Sequence, residues 1–355
     1  MDRPETTPPP QDAQPVPWQP RPAVDPRIFP HERPTPYHLM LRTWSYAWWK
    51  PVLGVLVAML AMTVVMPLLL LPVLAVAVAV KGGPFLETFF AALSLTPVDA
   101  AALLYLNLVL GSMILVTWFV MRVVHRMRPR WLASVVPRMR WQFFWACLGL
   151  AVVAMVAQAA VASLLPVTGE ESLGGAVNSF TVASAVTAAV VLLTTPLQAA
   201  GEEYLFRGYL LMAFGSWFGS RWAAIIATAA LFAAAHGAQN FPLFFDRFAF
   251  GLIAGWLVTR TGGLEAGIAL HILNNFLAFG LALTFGDLTD SLTVSEVGWW
   301  NIAVTLTQSA VYVALVLAVA RRMALQTATA PPWDDPAGEG QQGPSTDRDP
   351  VGKPR

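Results

Sequence analysis

The chain is short of charge and nearly without cysteine. Of its 355 residues only 12% are Asp, Glu, Lys or Arg, while 56% are hydrophobic. Soluble globular chains carry roughly a quarter charged residues. The single cysteine, Cys147, excludes an internal disulfide and leaves the redox compartment unread. A net charge of +1 gives no bulk basic field, so no nucleic-acid partner is expected. The sequence has no His-Glu-x-x-His, which excludes a standard zincin. It has no Gly-x-Ser-x-Gly elbow, which removes one common route to a covalent serine nucleophile. The first residues lack the basic-then-apolar pattern of a cleavable signal peptide.

Long apolar runs fill the space that charge vacates. A spanning helix needs roughly 20 apolar residues. Eight stretches qualify as candidates, at about 51–80, 100–121, 142–165, 180–201, 222–240, 243–260, 264–286 and 298–320. Trp48, Trp49, Trp141, Trp299 and Trp300 lie near span ends, as an interfacial aromatic belt requires. The expected fold is therefore all-α, a polytopic membrane helical bundle of about eight transmembrane helices whose main partner is the lipid bilayer. Arg122, Arg126, Arg128, Arg130, Arg138 and Arg140 crowd the loop after the second span, and Arg321-Arg322 follow the eighth. The loops near 81–99, 166–179 and 287–297 hold one lysine and seven acids. Counting positive charges puts the arginine-rich loop and both termini in the cytoplasm, with the cell membrane as the expected site. Residues 1–45 are expected to be a disordered proline-rich arm, with twelve prolines in the first 40 positions, and 326–355 a disordered tail. Between them lie amino-terminal spans in 46–175, core spans in 176–290 and a last span in 291–325. Gly251 and Gly255 make a small-xxx-small pair on the sixth span, either a close-packing face or a chance spacing. Oligomeric state has no sequence signal.

Ionisable side chains in hydrocarbon cost roughly 2.5–3.5 kcal/mol on insertion scales, so each one kept there asks for a reason. Those in or against apolar runs are Glu202, Glu203, Arg207, His236, Asp246, Arg247, Glu265 and His271. In Gln198-Ala-Ala-Gly-Glu202-Glu203-Tyr-Leu-Phe-Arg207, Glu203 and Arg207 stand four apart and share a helical face. Glu202 points about 100° away, since a helix turns once per ~3.6 residues. One carboxylate can thus be held by the arginine while the other stays free for proton exchange. The bland reading is an interfacial acid pair closing a span. His236 follows Phe232 by four residues and three alanines, and a lone histidine on an apolar helix is more often a hydrogen-bonded structural residue than a catalyst. His271 and Asn275 also stand four apart, with Asn274 as the alternative partner, and either pair reads equally as interhelical polar glue. Asp246-Arg247 look self-neutralising and Glu265 interfacial.

Taken in order, these motifs carry more than any one of them. Glu202-Glu203-x-x-x-Arg207, Phe232-x-x-x-His236 and His271-x-x-x-Asn275, in successive membrane segments roughly thirty residues apart, resemble the CPBP family. That family takes in the type II CAAX prenyl endopeptidases and the abortive-infection or bacteriocin-processing proteins. The resemblance implies an intramembrane endopeptidase acting on membrane-associated or lipidated peptides. In it Glu202 would activate a water with help from His236, His271 and Asn275 would stabilise the oxyanion, and Glu203 and Arg207 would hold the site's shape. The family is often labelled metalloprotease, and Glu202, His236 and His271 would make a three-ligand zinc site with an open position. The metal-free glutamate mechanism is favoured and no cofactor is expected, because Asn275 and Arg207 are poor zinc ligands. A proton-coupled transporter and a non-catalytic membrane scaffold are the competing classes.

One distance does not close on the sequence alone. If the fifth span starts near Trp222, His236 lies roughly 21 Å along it at ~1.5 Å per residue, whereas His271 is about 10 Å into its own span. The segment 204–220 is therefore expected to be an interfacial or re-entrant helix.

Overall fold

A computed structural model describes residues 29–165, 177–237 and 239–330. The outer parts of the expected arm and tail, 1–28 and 331–355, lie outside the described residues. Among the described residues ten α-helices follow in chain order: α1 Trp49–Lys81, α2 Phe85–Leu93, α3 Ala100–Val123, α4 Trp141–Leu164, α5 Val182–Phe218, α6 Arg221–Ala234, α7 Phe241–Thr261, α8 Glu265–Phe285, α9 Leu288–Thr293 and α10 Asn301–Arg322. Among the described residues the only β-structure is two isolated bridges. Seven helices among the described residues, α1, α3, α4, α5, α7, α8 and α10, are long and apolar enough to cross a membrane. Leu68, Leu69, Val76 and Leu192 on them are more than 60% exposed, as side chains facing lipid would be. The chain is an integral multi-pass membrane protein with an all-α bundle.

The expected span that falls short is the fifth, α6, which has only 14 residues. At ~1.5 Å per residue that is roughly 21 Å, less than the ~30 Å of a bilayer's hydrocarbon core. α6 ends at Ala234, short of the expected 240, whereas α5 is longer than expected. It runs on past the acid pair for 37 residues in all, through a π-helical turn at Tyr204–Leu210, to Phe218. The segment expected at 204–220 is thus not a separate re-entrant helix: up to Phe218 it continues α5. Gly219, at φ 67°, takes the left-handed position that ends α5, and the Ser220 hydroxyl accepts from the Ala223 N–H to start α6.

Other starts are set by sequence in the same way. Thr181 and Ser184 form a capping box at the head of α5, and Asn240 caps α7 with Pro242 in its first turn. Gly201 lies so close to the Leu110 carbonyl that a Cβ there would overlap it, which lets α5 lie directly on α3. Gly251 and Gly255 do serve a close crossing: a Cβ at Gly251 would come within 2.8 Å of Ala229, so α7 packs tightly on α6.

Residues 29–45 pack against one end of the bundle. Tyr37, Met40 and Leu41 are buried, the Tyr37 hydroxyl donates to the Leu132 carbonyl, and His31 Nε2 donates to the Met40 carbonyl at 2.8 Å. Pro36 bridges to Ala328, and the Thr329 N–H donates to the Thr35 carbonyl at 3.0 Å. The segments before α1 and after α10 therefore lie at the same end of the molecule.

Candidate active site

The α5–α6 turn fixes the level of the polar residues. Counting back from it, Phe206 and Phe232 fall almost opposite each other, and their rings meet at 5.2 Å. The same antiparallel register carries Glu202 and His236 one turn further from the turn. The depth mismatch of the sequence reading disappears, because α6 starts beyond the point where the acid pair sits.

Glu203 is completely buried and holds two partners on one oxygen. Its Oε1 accepts from Arg207 Nη1 at 2.8 Å and from His271 Nδ1 at 3.0 Å. Its Oε2 has no hydrogen-bond partner and lies against Gly267, where a Cβ would approach to 2.8 Å. Arg207 is also wholly buried, and its Nε and Nη2 lack hydrogen-bond partners. Aromatic faces cover it instead: the guanidinium carbon lies 4.0 Å from the Phe232 ring centre and 4.9 Å from that of Phe250. A desolvated cation over such faces gains on the order of 2 kcal/mol. The Phe250 and Phe232 rings also meet His271 edge-on at 5.0 and 5.9 Å, which fixes the plane of the imidazole.

Glu202 is arranged differently. Its Oε1 accepts from Gln198 Nε2 at 2.5 Å, and Gln198 Oε1 accepts from Asn275 Nδ2 at 2.8 Å. Its Oε2 has no hydrogen-bond partner and lies 3.7 Å from His271 Nε2. Asn274, the alternative partner, is turned away: its Oδ1 accepts from Gln308 Nε2 on α10 at 2.8 Å. Of the six candidates the structure thus joins Glu202, Glu203, Arg207, His271 and Asn275 in one network. His236 stands at its edge. Its Nδ1 donates to the Phe232 carbonyl at 2.7 Å, it bonds neither glutamate, and it is exposed. The carbonyl can only accept, so Nδ1 carries the hydrogen and Nε2 is left with its lone pair. Glu202 and His271 are within electrostatic reach of this ring.

Three contributors escaped the sequence reading. Gln198 stands four residues before Glu202 on one helical face, and that spacing was available as a signal. Phe206 and Phe250 carry no signal in a chain so rich in phenylalanine. Glu265, at the first residue of α8, is fully buried, and Arg140 grips it from 125 residues away, with Nη2–Oε2 at 2.6 Å. Asp246 and Arg247 do not neutralise each other by direct contact. Asp246 Oδ1 accepts from Thr305 Oγ1 at 2.5 Å, and Arg247 Nη1 is buried with no hydrogen-bond partner.

The donor set does not fit a metal held by Glu202, His236 and His271. Both His271 nitrogens already face carboxylates and His236 lies outside the cluster. Among the described residues no three His, Cys, Asp or Glu side chains are placed to hold an ion.

Neither curated proteins nor solved structures give a significant match to this chain. A family model does, that of the Rce1-like type II CAAX prenyl endopeptidases, over residues 182–277. The match starts at the first residue of α5 and ends two residues past Asn275, so it takes in the whole network and His236. The chain carries an Rce1-like type II CAAX prenyl endopeptidase domain at residues 182–277, consistent with a CPBP family protease.

Proposed function

We propose that the chain is an intramembrane endopeptidase that hydrolyses peptide bonds of membrane-associated or lipidated peptides, with Glu202 as the base that activates water. One observation carries this reading. The two adjacent carboxylates are divided in their duties, Glu203 held by Arg207 and His271, and Glu202 keeping a buried oxygen without a partner that faces an imidazole nitrogen. A nucleophilic water between Glu202 Oε2 and His271 would give up its proton to the carboxylate as its oxygen attacks the peptide carbonyl. The C–O bond forms, the carbonyl electrons move to oxygen, and that oxyanion needs donors. His271 Nε2 and the second amide hydrogen of Asn275 are the nearest candidates. Donation from Nε2 while Nδ1–H faces Glu203 requires the imidazolium, which has carboxylates on both sides. The C–N bond then breaks, and the proton taken up by Glu202 passes to the departing amine. His236 Nε2, with its lone pair free, assists the proton movement from the exposed side.

Gln198 is the positioning residue, since it orders Glu202 and Asn275 through one amide. Glu203 and Arg207 hold His271 in place. No step is routed through a metal. The arginine-rich loop and the two chain ends are proposed to face the cytoplasm.

The test is direct. Detergent-purified protein is incubated with a panel of membrane and lipidated peptides beside Glu202→Ala. Cleavage by the unmodified chain alone supports the reading. No cleavage of any peptide, with proton uptake in vesicles, would move the assignment to a transporter. Neither activity would leave the scaffold reading.

A further inference from the structure

Arg247 is a half-buried cation that the hydrolytic network does not use. It lies on α7 three residues before Phe250, and residues three apart share a helical face. Phe250 touches both His271 and Phe232, so that face is turned to the site. A long helical side chain leans toward its helix's amino terminus. On α7 that is the direction from Phe250 toward the level of His236. The His236 ring lies within electrostatic reach of Arg247 as well as of Glu202.

Arg247 is half-buried, and its Nη1 is fully covered with no hydrogen-bond partner. Its neighbour Asp246 is occupied by Thr305 on α10. The ring faces that cover Arg207 have no counterpart at Arg247 among the described residues. A covered guanidinium nitrogen without an acceptor is costly, and the cost is recovered when an anion arrives. The exposed edge of the network, beside His236, is where a peptide would enter.

We propose that Arg247 binds a carboxylate of the peptide substrate, so that the site selects for a negative charge on the His236 side of the scissile bond. This rests on the peptidase reading. Two sources would present that chemistry, the free carboxylate at a peptide's end and an Asp or Glu side chain near the cleaved bond.

Binding separates this proposal from the reading beneath it. One membrane peptide is made in three forms: with a terminal carboxylate, with a terminal amide and no acid, and with a terminal amide plus one Glu. Their Kd values are measured on the full chain carrying Glu202→Gln, to slow cleavage, with Arg247 intact, with Arg247→Lys and with Arg247→Gln. At least one carboxylate form is expected to bind ~10-fold or more tightly than the neutral amide when Arg247 is intact. The form that does so identifies the source. Arg247→Lys should keep part of the preference and Arg247→Gln should lose it. The acid-to-amide comparison with Arg247 intact holds even if a variant fails to fold. Equal or absent binding of all three forms, or a preference that survives Arg247→Gln, overturns the proposal. Selective binding without cleavage by the unmodified chain would keep the carboxylate site and remove the peptidase reading.

Discussion

Two carboxylate–arginine pairs are buried among the described residues, and they are built to different ends. Glu265 Oε1 accepts from the Arg140 N–H at 2.9 Å and from Nε at 2.8 Å, while Oε2 accepts from Nη2 at 2.6 Å. Arg140 Nη1 donates to the Thr261 carbonyl at 2.7 Å. Both carboxylate oxygens of that pair are used, and it staples the arginine-rich loop to the start of α8. Glu203 and Arg207 share one bond at 2.8 Å and leave Oε2, Nε and Nη2 without hydrogen-bond partners. Their remaining contacts are ring faces and the imidazole of His271. A saturated pair fixes shape; an unsaturated one beside a free Glu202 oxygen keeps polar capacity in a place where it is costly to keep. Such capacity belongs where charge has to move.

That contrast can be broken by substitution. The largest effect is expected at Glu202. Glu202→Ala should slow peptide cleavage by roughly 10³-fold or more, within the span of a lost general base. Glu265→Gln should leave the rate per folded molecule unchanged, as single-turnover assays on both proteins would show. Next are the arginines. Arg207→Met and Arg140→Met each strand a buried carboxylate and should cost ~3–5 kcal/mol of stability. Only Arg207→Met should also abolish turnover per folded molecule, because only Glu203 positions His271; thermal unfolding in detergent, with rates normalised to folded protein, separates the two. Gln198→Leu should lower kcat by on the order of 10²-fold with little change in KM, the pattern of a mispositioned base. A chelator should leave cleavage unchanged, and total metal analysis of active protein should find no stoichiometric ion.

The smallest effect concerns the packed arm and the loop beside it. Burial lowers His38 from 6.5 to about 4, with the positive charges of Arg221 and Arg42 adding to it. Burial, with Lys50, does the same to His125. The fold therefore holds both rings neutral. As pH falls the unfolded chain takes up protons first, so stability is fully present above 6.5 and is lost progressively down to about 4. Melting temperature should drop over that window, and His125→Phe should flatten part of the slope.

The apolar runs and the three polar motifs were legible in the sequence, because hydropathy and four-residue spacing are local properties. What was not legible is where local reading has to stop. The Glu-Glu and Arg interrupt hydropathy at 202–207, so the fourth span read as closing near 201, although the helix continues to Phe218 because its partners supply the polar contacts. That continuation moved the α5–α6 turn well past Glu202 and brought His236 level with it. The Arg140 grip on Glu265 and the burial of Tyr37 against Leu132 join residues 125 and 95 positions apart, and nothing in their neighbourhoods announces it. Gln198 lay in plain sight, four residues before Glu202, but an amide in an apolar helix reads as glue until its partners are known.

The claim on which the rest turns is that the Glu202 carboxylate takes the proton from water. Glu202→Gln keeps the size of the side chain and an oxygen for the Gln198 amide, and removes only the base. With a peptide that the unmodified chain cleaves in ¹⁸O-labelled water, the new carboxylate should carry one ¹⁸O, and Glu202→Gln, shown to be folded, should yield product at background rate. Cleavage by Glu202→Gln at the unmodified rate would contradict the account.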